Sequence, residues 1–258
     1  MAVFDGLMKW ADELKGALSP VVDIVYPPRC PLCGASLAQH AGLCVECWSQ
    51  IETPGEPACS ACQEPVSEGG GRTVRDDGQC ALCNRPAPRH AGIIAATLYT
   101  DISRDIVLRF KRGGKIALAG LMGQMMAQHL PDPPAGAAPL LVPVPLHRMR
   151  LWERGFNQAA LLARELSRHG KGTVCIDALE RTRRTPRLGG LGQQERRRAL
   201  AGAIRVASAR RAMVRGQDIV LVDDVLTSGA TSDACVDALF EAGAASVRIA
   251  CFARTAER

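Results

Sequence analysis

Aromatic residues are scarce in this chain: five Phe, three Trp and two Tyr make up 4% of its 258 residues. A core built on stacked rings is excluded, so the interior must be packed from aliphatic side chains on closely apposed helices and strands. Long apolar runs are missing too. The first 20 residues, MAVFDGLMKWADELKGALSP, are interrupted by Asp5, Lys9, Asp12, Glu13 and Lys15, which leaves no expected export signal and no membrane span. Phe4, Leu7, Ala11, Leu14 and Leu18 instead fall on one helical stripe, an amphipathic helix expected over residues 1–25. Two nucleotide-binding signatures are also absent. No G-x-x-x-x-G-K-[ST] occurs in the chain and no G-x-G-x-x-G follows its first strand, which argues against a P-loop NTPase and a dinucleotide-binding fold.

What is abundant is cysteine. Eight of the eleven lie in residues 30–83 as four C-x-x-C pairs: Cys30/Cys33, Cys44/Cys47, Cys59/Cys62 and Cys80/Cys83. Two thiolates two residues apart on a tight turn grip one tetrahedral ion, and two such knuckles complete a four-thiolate shell. The spacing therefore predicts zinc ribbons holding Zn(II), two ions for eight ligands. A disulfide framework would need an export signal, and a cytoplasmic location is expected, where thiols stay reduced and such clusters hold metal. Cys175, Cys235 and Cys251 stand in apolar contexts and are expected in the core.

Charge divides along the same line. Residues 1–90 carry seven Lys+Arg against eleven Asp+Glu, and the remainder 25 against 15. A boundary near residue 90 follows, with the zinc module over 26–90 and a second domain over 91–258. In that second domain GIIAATLYT, IVLRF, LLVPVP, QDIVLV and SVRIACFA read as strands. Helices are expected over LAGLMGQMMAQHL, FNQAALLARELSRHG (apolar at Phe156, Ala160, Leu161, Ala163 and Leu166) and SDACVDALFEAG, and PDPPAGAA is a surface loop. Apolar strands alternating with helices predict an α/β fold with a parallel, doubly wound sheet, in which ligands sit beyond the carboxyl ends of the strands.

The stretch IVLVDDVLTSGAT sharpens that expectation. Ile219–Val222 reads as a buried central strand, so Asp223 and Asp224 are expected at its carboxyl end. Thr227, Ser228, Gly229, Ala230 and Thr231 then form a small-residue loop feeding a helix N-terminus, a cradle for a phosphate monoester. Two adjacent acids beside a phosphate repel it unless something neutral lies between. A ribose diol fills that role, each carboxylate accepting from a hydroxyl, with Mg(II) outside on a pyrophosphate. A purely structural reading makes Thr231 an N-cap and the acids a solvated strand end.

The stretch resembles the 5-phosphoribosyl 1-diphosphate (PRPP) loop of type I phosphoribosyltransferases, and the chain as a whole is similar to the ComF family of competence-associated proteins. The resemblance is carried by YPPRCPLCG and the cysteine knuckles, YTDISRDIVLRFKRGG, VPVPLHRMRLWERGFNQ, LERTRRTPRLGGLGQQERRRAL and the Asp-Asp loop. It implies a double zinc ribbon ahead of a phosphoribosyltransferase fold and a role in taking up or processing DNA, with single-stranded DNA or a DNA-processing helicase as partner. It also implies PRPP binding by Asp223, Asp224, Val225, Leu226, Thr227, Ser228, Gly229, Ala230 and Thr231, with Asp223 and Asp224 catalytic. Lys111 matches a family lysine; Arg148 and Arg154, from the basic cluster that also holds His147 and Arg150, fall where the resemblance places the pyrophosphate loop. A second class of function remains, a non-catalytic PRPP or nucleotide sensor.

Residues 181–198 hold seven arginines around a flexible LGGLG: Arg181, Arg183, Arg184, Arg187, Arg196, Arg197 and Arg198. They read as a flap over pyrophosphate, a nucleic-acid surface or a solvated loop. The stretch departs from the family, with Leu188 at a usual Gln and Ala199 at a usual Asn. Trp10, Trp48 and Trp152 read as packing anchors, with base stacking as the alternative.

Overall fold

The computed structural model describes residues 27–39, 42–55, 59, 89–112, 118–146, 148–183, 200 and 202–255. The expected N-terminal helix, Cys62, Cys80, Cys83, His147 and residues 184–199 of the arginine-rich stretch lie outside the described residues, as do the side chains of Arg148 and Arg150. The chain divides into two compact units, Met1–Gln50 and Ile51–Arg258.

In the first unit, Arg29 bridges Ser36 in antiparallel fashion, and the Cys30 N–H donates to Ala35 O across a turn that Gly34 closes at φ 80°. A short helix, α1 (Val45–Trp48), follows with Cys44 as its N-cap.

The second unit is built on a five-stranded sheet, β1 (Ile93–Leu98), β2 (Leu140–Pro143), β3 (Thr173–Val174), β6 (Asp218–Leu226) and β7 (Ser246–Arg254), in the order β1-β7-β6-β2-β3. Every pairing in it is parallel, as the apolar strands predict. Helices α2 (Asp101–Lys111), α3 (Leu118–His129), α4 (Arg148–Arg154), α5 (Gln158–Arg168), α6 (Arg211–Val214) and α7 (Ala230–Glu241) connect the strands. A separate antiparallel ribbon pairs β4 (Leu179–Arg181) with β5 (Ile204–Val206), and so holds the two ends of the arginine-rich stretch together.

Side chains alternate across a strand, which gives the sheet two distinct faces. Ile219 and Leu221 of β6 join Val247, Ile249 and Cys251 of β7 in one cluster with Cys235, Val236, Ala238 and Leu239 of α7. Val220 and Val222 are buried on the opposite face, and α5 packs against β2 and β6. The three non-knuckle cysteines are all buried, as expected of core thiols.

Two expectations are corrected. IVLRF is helical rather than extended: it forms the second half of α2, whose buried Ser103, Ile106, Val107 and Phe110 follow helical spacing. The helix is started locally, because Ser103 Oγ accepts from the Thr100 N–H at 2.8 Å. In α5 the buried residues are Gln158, Ala159, Leu162, Ala163 and Leu166, so Ala163 and Leu166 of the expected stripe are buried, Ala160 and Leu161 are not, and Phe156 precedes the helix, which starts at Gln158.

Helices α3 and α5 touch at Gly123, where a Cβ would lie 2.3 Å from Glu165 Cβ. Gly123→Ala is therefore expected to push the helices apart and cost about 1–3 kcal/mol. Gly120, one turn earlier, has nothing within 4 Å of its Cβ position. There Gly→Ala is expected to stabilise by ~0.5–1 kcal/mol. Urea unfolding midpoints of the two variants should move in opposite directions; a shared direction would mean that the close approach does not hold in solution.

Candidate functional site

The first four cysteines converge. The Sγ atoms of Cys30, Cys33, Cys44 and Cys47 all lie within 4.8 Å of one another, and Cys33 and Cys44 approach to 3.5 Å. The knuckles thus pair in sequence, one on the Cys30–Gly34 turn and one on the first turn of α1. The chemistry of this donor set fits Zn(II), which takes four thiolates tetrahedrally at ~2.3 Å. Thiolates this close repel one another. Burial, and then the sulfurs of Cys44, Cys33 and Cys30, push the Cys47 thiol far up. Burial also raises Cys30, but the N–H groups of Cys33, Cys44 and Leu32 and the Cys33 side chain outweigh it and bring the thiol down to about 6. Only a cation at the centre lets all four lose their protons together. Cys59, from the second set, is buried in the core of the other unit.

The carboxyl edge of the parallel sheet carries the second site. Strand β6 runs further than its apolar residues suggest: Asp223 and Asp224 are still within it, as are Val225 and Leu226, and Asp223 pairs with Cys251 of β7. Being neighbours on a strand, the acids fall on opposite faces. Asp223 shares the face of Leu221 and α7, whereas Asp224 shares that of Val222 and meets α2. Lys111, at the last position of α2, places Nζ 3.0 Å from Asp224 Oδ1, with 26% of the lysine and 10% of the aspartate side chain exposed. The Asp223 carboxylate accepts from the Asp224 N–H at 2.8 Å.

The electrostatics follow from burial. Loss of water and then repulsion from Asp224 push the Asp223 carboxyl up to about 7, against the pull of its bond to the Asp224 N–H and of Lys111. One acid of the pair is ion-paired with a lysine while the carboxyl of the other is raised to about 7, and a strongly raised carboxyl is characteristic of functional sites.

Beyond Leu226, whose side chain is in the core, only Thr227, Ser228 and Gly229 separate the strand from α7. Gly229, not Thr231, is the N-cap, in the left-handed region at φ 72°, and offers no capping side chain. The first-turn N–H groups of this 12-residue helix therefore face the strand end with the positive end of the helix dipole behind them. Thr227 is exposed and Ser228 half-buried.

The basic cluster arrives from β2. The Val144 N–H donates to Val222 O, carrying the chain past β6 before it enters α4. Arg148 opens α4 and Arg154 closes it, the latter half-buried and donating from Nη1 to Gln158 Oε1 at 3.2 Å. Asn157 ties this corner down: its Nδ2 donates to Val144 O, and its Oδ1 caps α5 at the Ala159 N–H. Phe156 rests 6.0 Å from Phe110, centroid to centroid, which joins the end of α2 to the same corner. Asn157 and Gln158 were not singled out by sequence reasoning, although an Asn before a helical stripe is a capping signal. Arg254, 9% exposed at the end of β7 and in register with Leu226, also went unassigned.

Trp48 and Trp152 do not behave as packing anchors: they are 48% and 93% exposed. Among the described residues no helix is long and apolar enough to cross a membrane.

Comparison with known proteins aligns with both sites. A double zinc ribbon domain model matches residues 21–84, and a phosphoribosyl transferase domain model matches residues 153–258. The DNA utilization protein YhgH of Escherichia coli K12 is 30% identical over 244 residues, covering 90% of this chain and 99% of that protein. Competence protein F of Haemophilus influenzae is 26% identical over 86% of this chain and 94% of its own. Competence protein ComFC of Bacillus subtilis is 26% identical over 80% of this chain and 92% of its own.

Proposed function

The chain belongs to the ComF family of DNA utilization and competence proteins, with a double zinc ribbon ahead of a phosphoribosyltransferase domain, and from that premise we propose that it binds PRPP with Mg(II) and transfers the phosphoribosyl group. The observation that carries this reading is the order of groups along β6 and α7: two acids, one balanced by Lys111 at 3.0 Å, then a short loop into an uncapped helix N-terminus. The 5-phosphate takes the N–H and hydroxyl groups of Thr227–Thr231. Asp223 and Asp224 accept from the ribose diol, and Lys111, Arg148 and Arg154 face the pyrophosphate.

In the reaction the C1–O bond breaks, its electron pair leaves with pyrophosphate, and positive charge builds on the sugar before an acceptor nucleophile closes the new bond. The carboxylates stand where that positive charge develops, and the cations where the negative charge departs, so both ends of the breaking bond are stabilised. Mg(II), arriving with PRPP, would neutralise the leaving pyrophosphate further. We assign the activity to DNA uptake or utilisation in the cytoplasm, from the names of the relatives and the reduced thiols that the zinc clusters need.

Melting with PRPP and Mg(II) tests the reading. At 100 times its Kd, a ligand of the folded state stabilises by ~2.7 kcal/mol, so the parent should melt several degrees higher and Asp224→Asn should not respond. An unmoved parent would sink the proposal. A shift with no pyrophosphate released in the presence of candidate nucleobase or nucleic-acid acceptors would identify a PRPP sensor instead.

A further inference from the structure

Gln158 opens α5 with a side chain that is 2% exposed, and the two polar atoms of its amide are used unequally. Oε1 accepts from Arg154 Nη1 at 3.2 Å, whereas Nε2 is buried and has no hydrogen-bond partner. The orientation is forced. A guanidinium only donates, so the amide must turn its oxygen to Arg154, and turning it over would set one donor against another. A buried donor left unsatisfied is costly, and each one in a native fold calls for an explanation.

Place and charge supply one. Phe156, two residues earlier, rests on Phe110, the neighbour of Lys111. Asn157 donates to Val144 O, and the Val144 N–H donates to Val222 O, two residues before Asp224. Gln158 is thereby fixed at the carboxyl edge of the sheet, between the end of α2 and the end of β2. Arg154, half-buried beside it, spends this contact on a neutral oxygen rather than on a carboxylate. A guanidinium and an unspent amide N–H side by side match one class of ligand, an anionic group that only accepts, such as a phosphoryl oxygen.

We propose that Gln158 Nε2 is a ligand-binding donor that, together with Arg154, clips one phosphoryl group of the bound ligand. Hydrogen bonds of a working site are commonly loose in the free protein and tighten in the complex, which accords with a donor that is covered and unpaired before binding. That the phosphoryl group belongs to the pyrophosphate of PRPP rests on the phosphoribosyl reading; the clip itself does not.

The test is calorimetric titration of the full chain with inorganic pyrophosphate and Mg(II), and separately with PRPP and Mg(II), for the parent, Gln158→Leu and Gln158→Glu. Leucine removes both polar atoms, while glutamate keeps an oxygen for Arg154 and puts an acceptor where the N–H was. Pyrophosphate affinity should fall by about 10- to 150-fold in Gln158→Leu, the worth of a hydrogen bond to a charged group, and further in Gln158→Glu. Melting temperatures separate this from a structural role. An amide left unpaired for a ligand costs the free protein stability, so Gln158→Leu should melt no lower than the parent. An amide satisfied by trapped water would make that variant melt lower with its affinity unchanged. Unchanged affinity in either variant, no pyrophosphate binding by the parent, or affinity lost only in step with a lower melting point in both variants would each overturn the proposal. If only Gln158→Leu melts lower, lost affinity in Gln158→Glu still upholds it. Pyrophosphate binding in the expected order, with PRPP unbound by the parent, would leave the clip standing and count against the phosphoribosyl reading alone; PRPP bound equally by all three would do the reverse.

Discussion

Cys47→Ser is expected to unfold the Cys30–Cys47 module while the parallel sheet keeps its protection. Cys47 is the buried member of the second knuckle, and its thiol is pushed far up by burial and by three neighbouring sulfurs. Without its fourth thiolate the ion no longer cross-links the two knuckles, and the module has little else to hold it: one turn closed by Gly34, an isolated bridge from Arg29 to Ser36 and a four-residue helix. A core this small cannot cover the entropy of ordering its own backbone. Structural zinc supplies about 10–16 kcal/mol in small zinc-bound peptides, so its loss is the largest single effect expected in this chain. Hydrogen exchange should show amides of residues 27–50 exchanging at unfolded rates in Cys47→Ser, and bound zinc should fall by one ion. Undiminished protection there would refute the zinc assignment for this cluster. Acid should do the same to the parent, as protons compete with the metal for the thiolates.

Asp223→Asn should separate stability from function. In the folded chain Asp223 titrates at about 7, raised by burial and by Asp224, whereas its ordinary value is 3.8. The folded state therefore holds an extra proton between those two values. The contribution of Asp223 to stability is fully present below pH ~4 and is lost as the pH rises through 7. Asparagine carries no charge, so Asp223→Asn should be more stable than the parent at pH 8 and close to it at pH 4. On the proposed function, the same change removes an acceptor for the diol and a negative charge beside the developing cation. Pyrophosphate release should fall by about 100-fold or more, the scale of losing one preorganised electrostatic contact. PRPP binding by the parent should tighten from pH 6 to pH 8 as Asp223 ionises, and that dependence should flatten in the variant. A variant less stable than the parent at pH 8 would show that the carboxylate is not desolvated as the fold implies.

The parallel sheet could be read in advance because each of its longer strands is apolar on both faces, a pattern that only a covered parallel strand needs. IVLRF could not, since a short apolar run fits a strand or a helix equally, and the deciding contact lies outside it, at Thr100 and Ser103. The acid pair was legible as chemistry but not as geometry. Adjacent acids after four apolar residues look like a strand that has ended, yet pairing with β7 carries β6 on to Leu226 and sends the acids to opposite faces. Trp48 and Trp152 were misjudged because composition gives a residue's usual fate, and both depart from it, while Trp10 lies outside the described residues.

The sequence by itself determined the local patterns: thiolate spacing selects a tetrahedral soft-metal site, and Asp-Asp before a small-residue loop is the pattern on which the proposed sugar-phosphate site rests, since both depend on neighbours within a few residues. The tertiary structure alone decided which knuckles share an ion, that Lys111 balances Asp224, and that Asn157 and Gln158 anchor the basic corner. Those facts join residues up to 113 positions apart in the chain, and only the packing of helices onto the sheet brings them within the few ångströms over which charges and hydrogen bonds act.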